Sequence, residues 1–282
     1  MKKLHVVMAG MIAVSATATV FAIRASAGPA EGGAMVGNAG QERASESAND
    51  FYWSGRVASG DAVEIKGING DVTIERATGS EVVVTAEAHG RRSNPETVRV
   101  EMVEHAGGVT FCAVYPTPEG KRENYCGAGD DGRMSTENND VSVTFRVELP
   151  ADVHVIGRTV NGDVEAFDLA SDVQANTVNG DIEISTTGFA AAETVNGSIE
   201  AEMGARDLMS DIAFSTVNGS ISLDLHDAVD ADLDASWLNG SFESDVPFTL
   251  EGRMSRRSAR GELGDGGPQI ELKTVNGSIR IH

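Results

Sequence analysis

What this 282-residue sequence lacks narrows its chemistry more than what it contains. It has no Gly-x-Ser-x-Gly elbow, no His-Glu-x-x-His pair and no phosphate-binding loop. Hydrolase, zinc-protease and nucleotide-dependent chemistries therefore have no motif to rest on. His89, His105, His154, His226 and His282 are scattered and belong to no pattern. The chain is expected not to be an enzyme. Basic residues are scarce as well: 22 Lys and Arg stand against 43 Asp and Glu, a formal net charge of −21. Such a field repels phosphates and argues against nucleic acid as a partner. The calcium-binding nonapeptide and the EF-hand loop are both absent. The acids Asp224, Asp227, Asp230, Asp232 and Asp234 read instead as a solvated strand face, and neither metal nor cofactor is expected.

Helical spacing is missing too. Apolar residues recur with a period of two, as in Asp181-Ile182-Glu183-Ile184 and Ile221-Ser222-Leu223-Asp224-Leu225, which is the pattern of half-buried strands. Cysteine occurs only at Cys112 and Cys126, flanking a loop rich in Pro, Gly and charge. Two cysteines in an exported chain most often pair, so a Cys112–Cys126 disulfide is expected; a metal site has too few ligands.

The evidence for export is at the N-terminus. Lys2 and Lys3 precede the uncharged apolar stretch Leu4 to Ile23, and Ala25-Ser26-Ala27 fits a small-x-small cleavage site. Residues 1–27 are read as a signal peptide, against the alternative of an uncleaved anchor, so no transmembrane segment should remain after cleavage. Residues 28–50 are Gly/Ala/Ser/Glu-rich and read as a disordered spacer. Strand patterns fill 51–150, at Glu81–Thr85, Val98–Met102, Val109–Phe111 and Val141–Leu149. This region is expected to be continuous with the segment 151–282, Phe51-Tyr52-Trp53 serving as an apolar cap.

The segment 151–282 is a repeat. Thr-Val-Asn-Gly-Asp/Ser recurs with its Asn-Gly steps at Asn161-Gly162, Asn179-Gly180, Asn196-Gly197 and Asn218-Gly219, then as Trp237-Leu-Asn239-Gly240-Ser241 and again at Asn276-Gly277. An outlier, Gly67-Ile-Asn-Gly-Asp71, lies near the start. A period of about 20 residues marks an array of stacked supersecondary units. Asn-Gly also suits a tight turn, since both residues tolerate positive φ. Each step is therefore either the loop of a hairpin or a corner of a β-solenoid coil. The second is preferred, because stacked identical asparagines form a hydrogen-bonded ladder, whereas hairpins do not need identical turns. The expected fold class is all-β, a single-domain solenoid with about 20-residue coils. The wide gap between Asn239 and Asn276 suggests a coil whose corner has diverged around Arg260-Gly-Glu-Leu-Gly264, and Ile279–Ile281 would form the exposed last coil, guarded by Arg280.

These repeats, the Val-Glu-Leu-Pro-Ala151 strand ending that leads into them and the terminal Lys273-Thr-Val-Asn-Gly-Ser-Ile279 resemble the bacterial putative-adhesin family of exported β-strand-repeat proteins. The resemblance implies a β-solenoid on the cell envelope, adhesion as its role, and no catalytic residues. The expected function is that of a non-enzymatic envelope or secreted protein whose regular acidic faces bind a protein or glycan surface. The location would be periplasm, envelope or exterior. An alternative is a periplasmic accessory or sensor module for a membrane signalling protein. It would act through the one basic cluster, Arg253, Arg256, Arg257 and Arg260. A polysaccharide-active enzyme using Asp163 or Asp181 is a third reading, weakened because later repeats carry Ser there.

Overall fold

The computed structural model describes residues 7–8, 50–204, 207–225, 229–250 and 255–282. The expected signal peptide over 1–27 and spacer over 28–50 thus lie almost wholly outside the described residues. Within them, Val7–Met8 pairs antiparallel with Met134–Ser135 and Asp50 opens a strand.

The chain is all-β, built as two mixed sheets of eleven and ten strands. Most of it is arranged as rungs, each giving one strand to either sheet. Counted along the stack, rung 1 is Gly108–Val114 with Ser142–Leu149, rung 2 is Ala62–Lys66 with Val72–Arg76, and rung 3 is His154–Arg158 with Val164–Leu169. Rung 4 is Val173–Asn176 with Ile182–Thr186, rung 5 is Ala190–Glu193 with Ile199–Met203, and rung 6 is Ile212–Asn218 with Ile221–Leu225. Rung 7 is Gln269–Asn276 with Ile279–Ile281, and rung 8 is Ala231–Asn239 with Phe242–Ser244. Neighbouring rungs pair in parallel and in register: Val72, Val164, Ile182, Ile199, Ile221, Ile279 and Phe242 stand in one column.

Alternation decides what is inside. In strands such as Ile182–Thr186 and Ile221–Leu225 every second side chain is buried, and these residues from both sheets merge into one core. At roughly 25 cal/mol per Å² of apolar surface removed from water, the resulting aliphatic columns are the main stabilising term.

The rungs are not stacked in chain order. Rung 1 follows rung 2 in sequence yet lies outside it, and the C-terminal rung 7 is inserted between rungs 6 and 8. Ile279–Ile281 is therefore interior rather than the exposed last coil, and Arg280 guards no end; it pairs with Glu243 of rung 8 at 3.3 Å. The segment around Arg260 is no diverged corner either. Ser258–Leu263 runs antiparallel to Ala231–Ser236 and covers the outer edge of rung 8, with Thr249–Leu250 beyond it.

The other end is finished in the same way. Arg99–His105 pairs antiparallel with rung 1 in one sheet; Val82–His89 and then Asp50–Gly55 do so in the other. Phe51 and Trp53 pack their rings on Phe111, centroids 6.0 and 5.1 Å apart, closing that end of the core, while Tyr52 points outward.

The inserted position of rung 7 carries an energetic consequence. Ile279 is fully buried with rungs on both sides. Ile279→Ala is expected to cost about 2–5 kcal/mol in urea unfolding, the range for emptying a core site; an effect below about 1 kcal/mol would mean that the C-terminal rung lies at an exposed end.

Candidate functional site

Four of the five residues of the repeated pentapeptide have a definite task at the corner joining the two sheets. The threonine is buried, and its hydroxyl donates to the glycine carbonyl of the preceding rung: Thr159 to Gly70, Thr177 to Gly162, Thr194 to Gly180, Thr216 to Gly197 and Thr274 to Gly219, at 2.8–3.0 Å. The asparagines form one column. Asn161 Nδ2 donates to Asn69 Oδ1, Asn179 to Asn161, Asn196 to Asn179, Asn218 to Asn196, Asn276 to Asn218 and Asn239 to Asn276, at 2.7–2.9 Å. An amide donates and accepts in one line, so a single residue type can extend such a row without limit.

The residue after the glycine supplies an acceptor for the next rung. Asp71, Asp163 and Asp181 take the backbone N–H of residues 163, 181 and 198 at 2.7–3.0 Å. Ser198, Ser220 and Ser278 do the same less closely, at 3.1–3.3 Å.

The glycines are required for a reason other than turn geometry. None of the corner asparagines has positive φ, and neither do Gly180, Gly197, Gly219, Gly240 and Gly277; Gly70 and Gly162 do, at 116° and 159°. The expectation that Asn-Gly is chosen for positive φ is thus corrected. A Cβ on Gly180, Gly197, Gly219, Gly240 or Gly277 would lie only 1.8–1.9 Å from the carbonyl oxygen of the stacked glycine. Backbones approach so closely there that no side chain fits.

The described arginines of the basic cluster differ in their surroundings. Arg253 lies outside the described residues, Arg256 and Arg257 are exposed at a bend, and Arg260 pairs with Asp234 at 3.0 Å. The acids of the neighbouring run have local partners. Asp230 accepts the Asp265 N–H (2.9 Å) and Asp232 the Gly267 N–H (3.2 Å), which fastens the turn leading into rung 7; Asp227 lies outside the described residues.

Cys112 and Cys126 form a disulfide, with Cα atoms 5.6 Å apart. It tethers the 115–133 loop over a charge cluster that no motif announced. Glu64 is buried, and its Oε2 accepts from the Thr110 hydroxyl (2.9 Å) and the Gly129 N–H (2.8 Å). Lys66 Nζ donates to the carbonyls of Gly127 (2.5 Å), Gly129 (2.6 Å) and Asp131 (3.0 Å). Arg158 stands 3.3 Å from Glu64 and 3.6 Å from Asp130. Burial holds the Lys66 ammonium below the usual lysine pKa, with Glu64 pulling the other way. Val63-Glu-Ile-Lys66 reads as an ordinary solvated strand face, so its burial under a loop some 60 residues away leaves no trace in spacing.

At the N-terminal end of the asparagine column, Asn69 Nδ2 donates to the Val141 carbonyl (3.2 Å). Beside it, His89, Arg91, Arg92, Asp140 and Ser142 line a shallow, open depression. The Asp140 carboxylate is held there by the Ser93 and Arg92 N–H groups, 2.8 and 3.2 Å away. These hydrogen bonds, Ser93 first, bring its pKa down to about 2. Among the described residues no group of three or more His, Cys, Asp or Glu is placed to hold a metal ion, and no helix is long and apolar enough to cross a membrane.

Residues 130–282, more than half of the chain, match the model of a family described as Toastrack DUF4097. The chain belongs to this family. The family likeness read from the Thr-Val-Asn-Gly repeats is borne out. No curated protein matches the chain. Several solved structures are similar to this Toastrack chain. One, described as a putative cell adhesion protein from Clostridium sporogenes, is 10% identical, with 82% of this chain and 98% of that one covered, at a TM-score of 0.42. A putative adhesin from Bacteroides fragilis is 11% identical over 84% and 98% of the two chains, at a TM-score of 0.25. A putative lipid binding protein from Parabacteroides distasonis is also 11% identical over 84% and 98%, at 0.23.

The Toastrack corner makes a prediction about its glycines. Gly197→Ala, whose Cβ would lie 1.9 Å from the Gly180 carbonyl, is expected to cost more than about 4 kcal/mol or to prevent folding. Gly79→Ala, with nothing within 4 Å, should change stability by less than about 0.5 kcal/mol. Equal effects in thermal unfolding would refute the close-contact account.

A second prediction concerns acid. Asp140 has a folded pKa depressed to about 2, so its contribution to stability is present above the ordinary aspartate range and is lost as pH falls through about 2. Asp140→Asn should therefore flatten the acid limb of the stability–pH curve in that window while leaving its neutral region nearly level. An unchanged limb would show that Asp140 is not the group titrating.

Proposed function

We propose that the two sheets are the walls of one β-solenoid with about 20-residue coils. In this reading the chain is an exported, non-catalytic scaffold that binds a partner or surface through its acidic outer face. The observation that carries the proposal is a row of like charges. Parallel in-register pairing sets Glu165, Glu183 and Glu200 directly beside one another on the outside of the second sheet. Glu183 and Glu200 are exposed and Glu165 is half-buried. Like charges directly opposite across strands destabilise a sheet. A row that weakens the fold has its physical rationale in contact with something cationic outside it.

The corner supports a structural rather than chemical role for its polar groups. Asp163 and Asp181, the carboxylates that a glycan-cleaving reading would use, each accept a backbone N–H of the next rung. Export and an adhesin-like role are what the N-terminal stretch and the repeat's resemblance imply. The partner would be a protein or glycan surface that presents positive charge.

The test pairs stability with binding. Neutralising the row in a Glu165→Gln, Glu183→Gln, Glu200→Gln variant should raise stability by about 0.5–1 kcal/mol. It should also weaken attachment to the producing cells' envelope and remove the salt dependence of that attachment. Surface protease accessibility after fractionation reports location in the same cells. A variant that is more stable and attaches equally well would overturn the acidic face as the contact surface.

A further inference from the structure

The chain has seven Asn-Gly steps, at 69, 161, 179, 196, 218, 239 and 276. Asn-Gly is the dipeptide most prone to deamidation, because no side chain on the following residue blocks attack by its backbone nitrogen. The reaction needs two freedoms. The glycine N–H must be available as the nucleophile, and the asparagine amide must swing so that its Cγ meets that nitrogen.

The stack denies both freedoms to six of the seven steps. The N–H of Gly70 donates to Asn161 O, Gly162 to Asn179 O, Gly180 to Asn196 O, Gly197 to Asn218 O, Gly219 to Asn276 O and Gly277 to Asn239 O, at 2.8–3.0 Å. In the same six the amide oxygen accepts the Nδ2–H of the next asparagine. Among the described residues no rung lies beyond rung 8 at this corner. Among the described residues the Gly240 N–H meets no acceptor and Asn239 Oδ1 no donor; its amide is held by a single bond to Asn276. Solvent exposure does not make this distinction, since Asn161, Asn179, Asn196, Asn218 and Asn276 all reach the surface as Asn239 does.

We propose that Asn239–Gly240 is the modification site of this protein, the one Asn-Gly step that deamidates in the folded state. The Gly240 nitrogen bonds to Asn239 Cγ, the Cγ–Nδ2 bond breaks, and Nδ2 leaves as ammonia with the proton from Gly240. Water then opens the succinimide to aspartate or isoaspartate. Either product lacks the Nδ2–H that Asn276 Oδ1 accepts and adds a negative charge at the end of the column. The terminal rung is thereby loosened while the interior ladder stays intact, whatever the acidic row contacts.

The test is a time course of the full chain in mildly alkaline buffer at physiological temperature, followed by peptide mapping with mass spectrometry, with a urea-unfolded sample in parallel. In the folded chain Asn239 should convert at least about tenfold faster than any other Asn-Gly step. In urea the seven steps should converge to similar rates. A different step reacting first in the folded chain, or Asn239 being as slow as the interior steps, would overturn the proposal.

Discussion

The contact on which the rest of the structure depends is backbone on backbone: the glycine of one rung seated on the glycine carbonyl of the rung beneath. It leaves room for a hydrogen and nothing larger. A slip of one residue would drive an asparagine or serine side chain into that carbonyl, so register is set by exclusion as well as by hydrophobic pattern. Once glycine lies on glycine, the other columns fall into place. Asparagine meets asparagine, the threonine hydroxyl reaches the glycine carbonyl, and aspartate or serine reaches the next N–H. The same register sorts both faces of the sheet, aliphatic columns inward and rows of like polar residues outward.

Much of this was legible in sequence. A twofold alternation and a repeating corner are short-range properties, carried by apolar positions such as Ile182 and Ile184 and by the Asn-Gly pair, as at Asn179 and Gly180, that recurs in every copy. The order of the rungs was not legible, and the reason is physical. Rungs that share one corner chemistry are interchangeable as neighbours. Asn276 bonds to Asn218 and Asn239 as readily as Asn218 and Asn239 could have bonded to each other. What places rung 7 between them lies outside the repeat, in the antiparallel pairing of Ser258–Leu263 and the Asp230 and Asp232 contacts to the turn behind it. The demand for glycine was visible but its cause was not. Asn-Gly in a tight turn and Asn-Gly in a close stack give the same letters, and only φ and the inter-rung distance tell them apart. The Glu64–Lys66–Arg158 cluster was hidden because a loop from far along the chain buries it.

The out-of-order ends answer a problem that any stack of parallel strands has. Each terminal strand leaves a row of unpaired N–H and C=O groups that invites other chains. If the chain simply stopped after its last rung, both sheets would end in such an edge. By overshooting and returning, it lays antiparallel strands over rung 1 in both sheets and over rung 8 in the first sheet. In the second sheet rung 8 ends in the three-residue strand Phe242–Ser244, kept short and marked by Glu243, the sort of edge that resists recruiting a partner strand. Trp237, standing where other repeats have threonine, stacks on Phe242 at 5.5 Å, and Phe242 meets Phe248 edge-on at 6.0 Å, so an aromatic layer closes the core at that end. The departure of this repeat from Thr-Val-Asn-Gly is therefore a consequence of its place in the stack.

The charge on the stack is not spread evenly along it. At the corner, aspartate occupies rungs 2 to 4 (Asp71, Asp163 and Asp181) and serine the later rungs. On the second sheet, glutamate occupies rungs 3 to 5 (Glu165, Glu183 and Glu200), and rungs 6 and 7 present Ser222 and Arg280 in the same column. Stacked carboxylates repel where stacked amides attract, because a carboxylate can only accept. The corner aspartates offset this by taking a backbone N–H from the next rung, and Glu183 and Glu200 have no such compensation among the described contacts. The unbalanced charge thus falls on rungs 3 to 5, some 10 Å at roughly 4.8 Å per strand. The register that builds the core also fixes the spacing of charge on the outer face, roughly 4.8 Å from one carboxylate-bearing strand to the next.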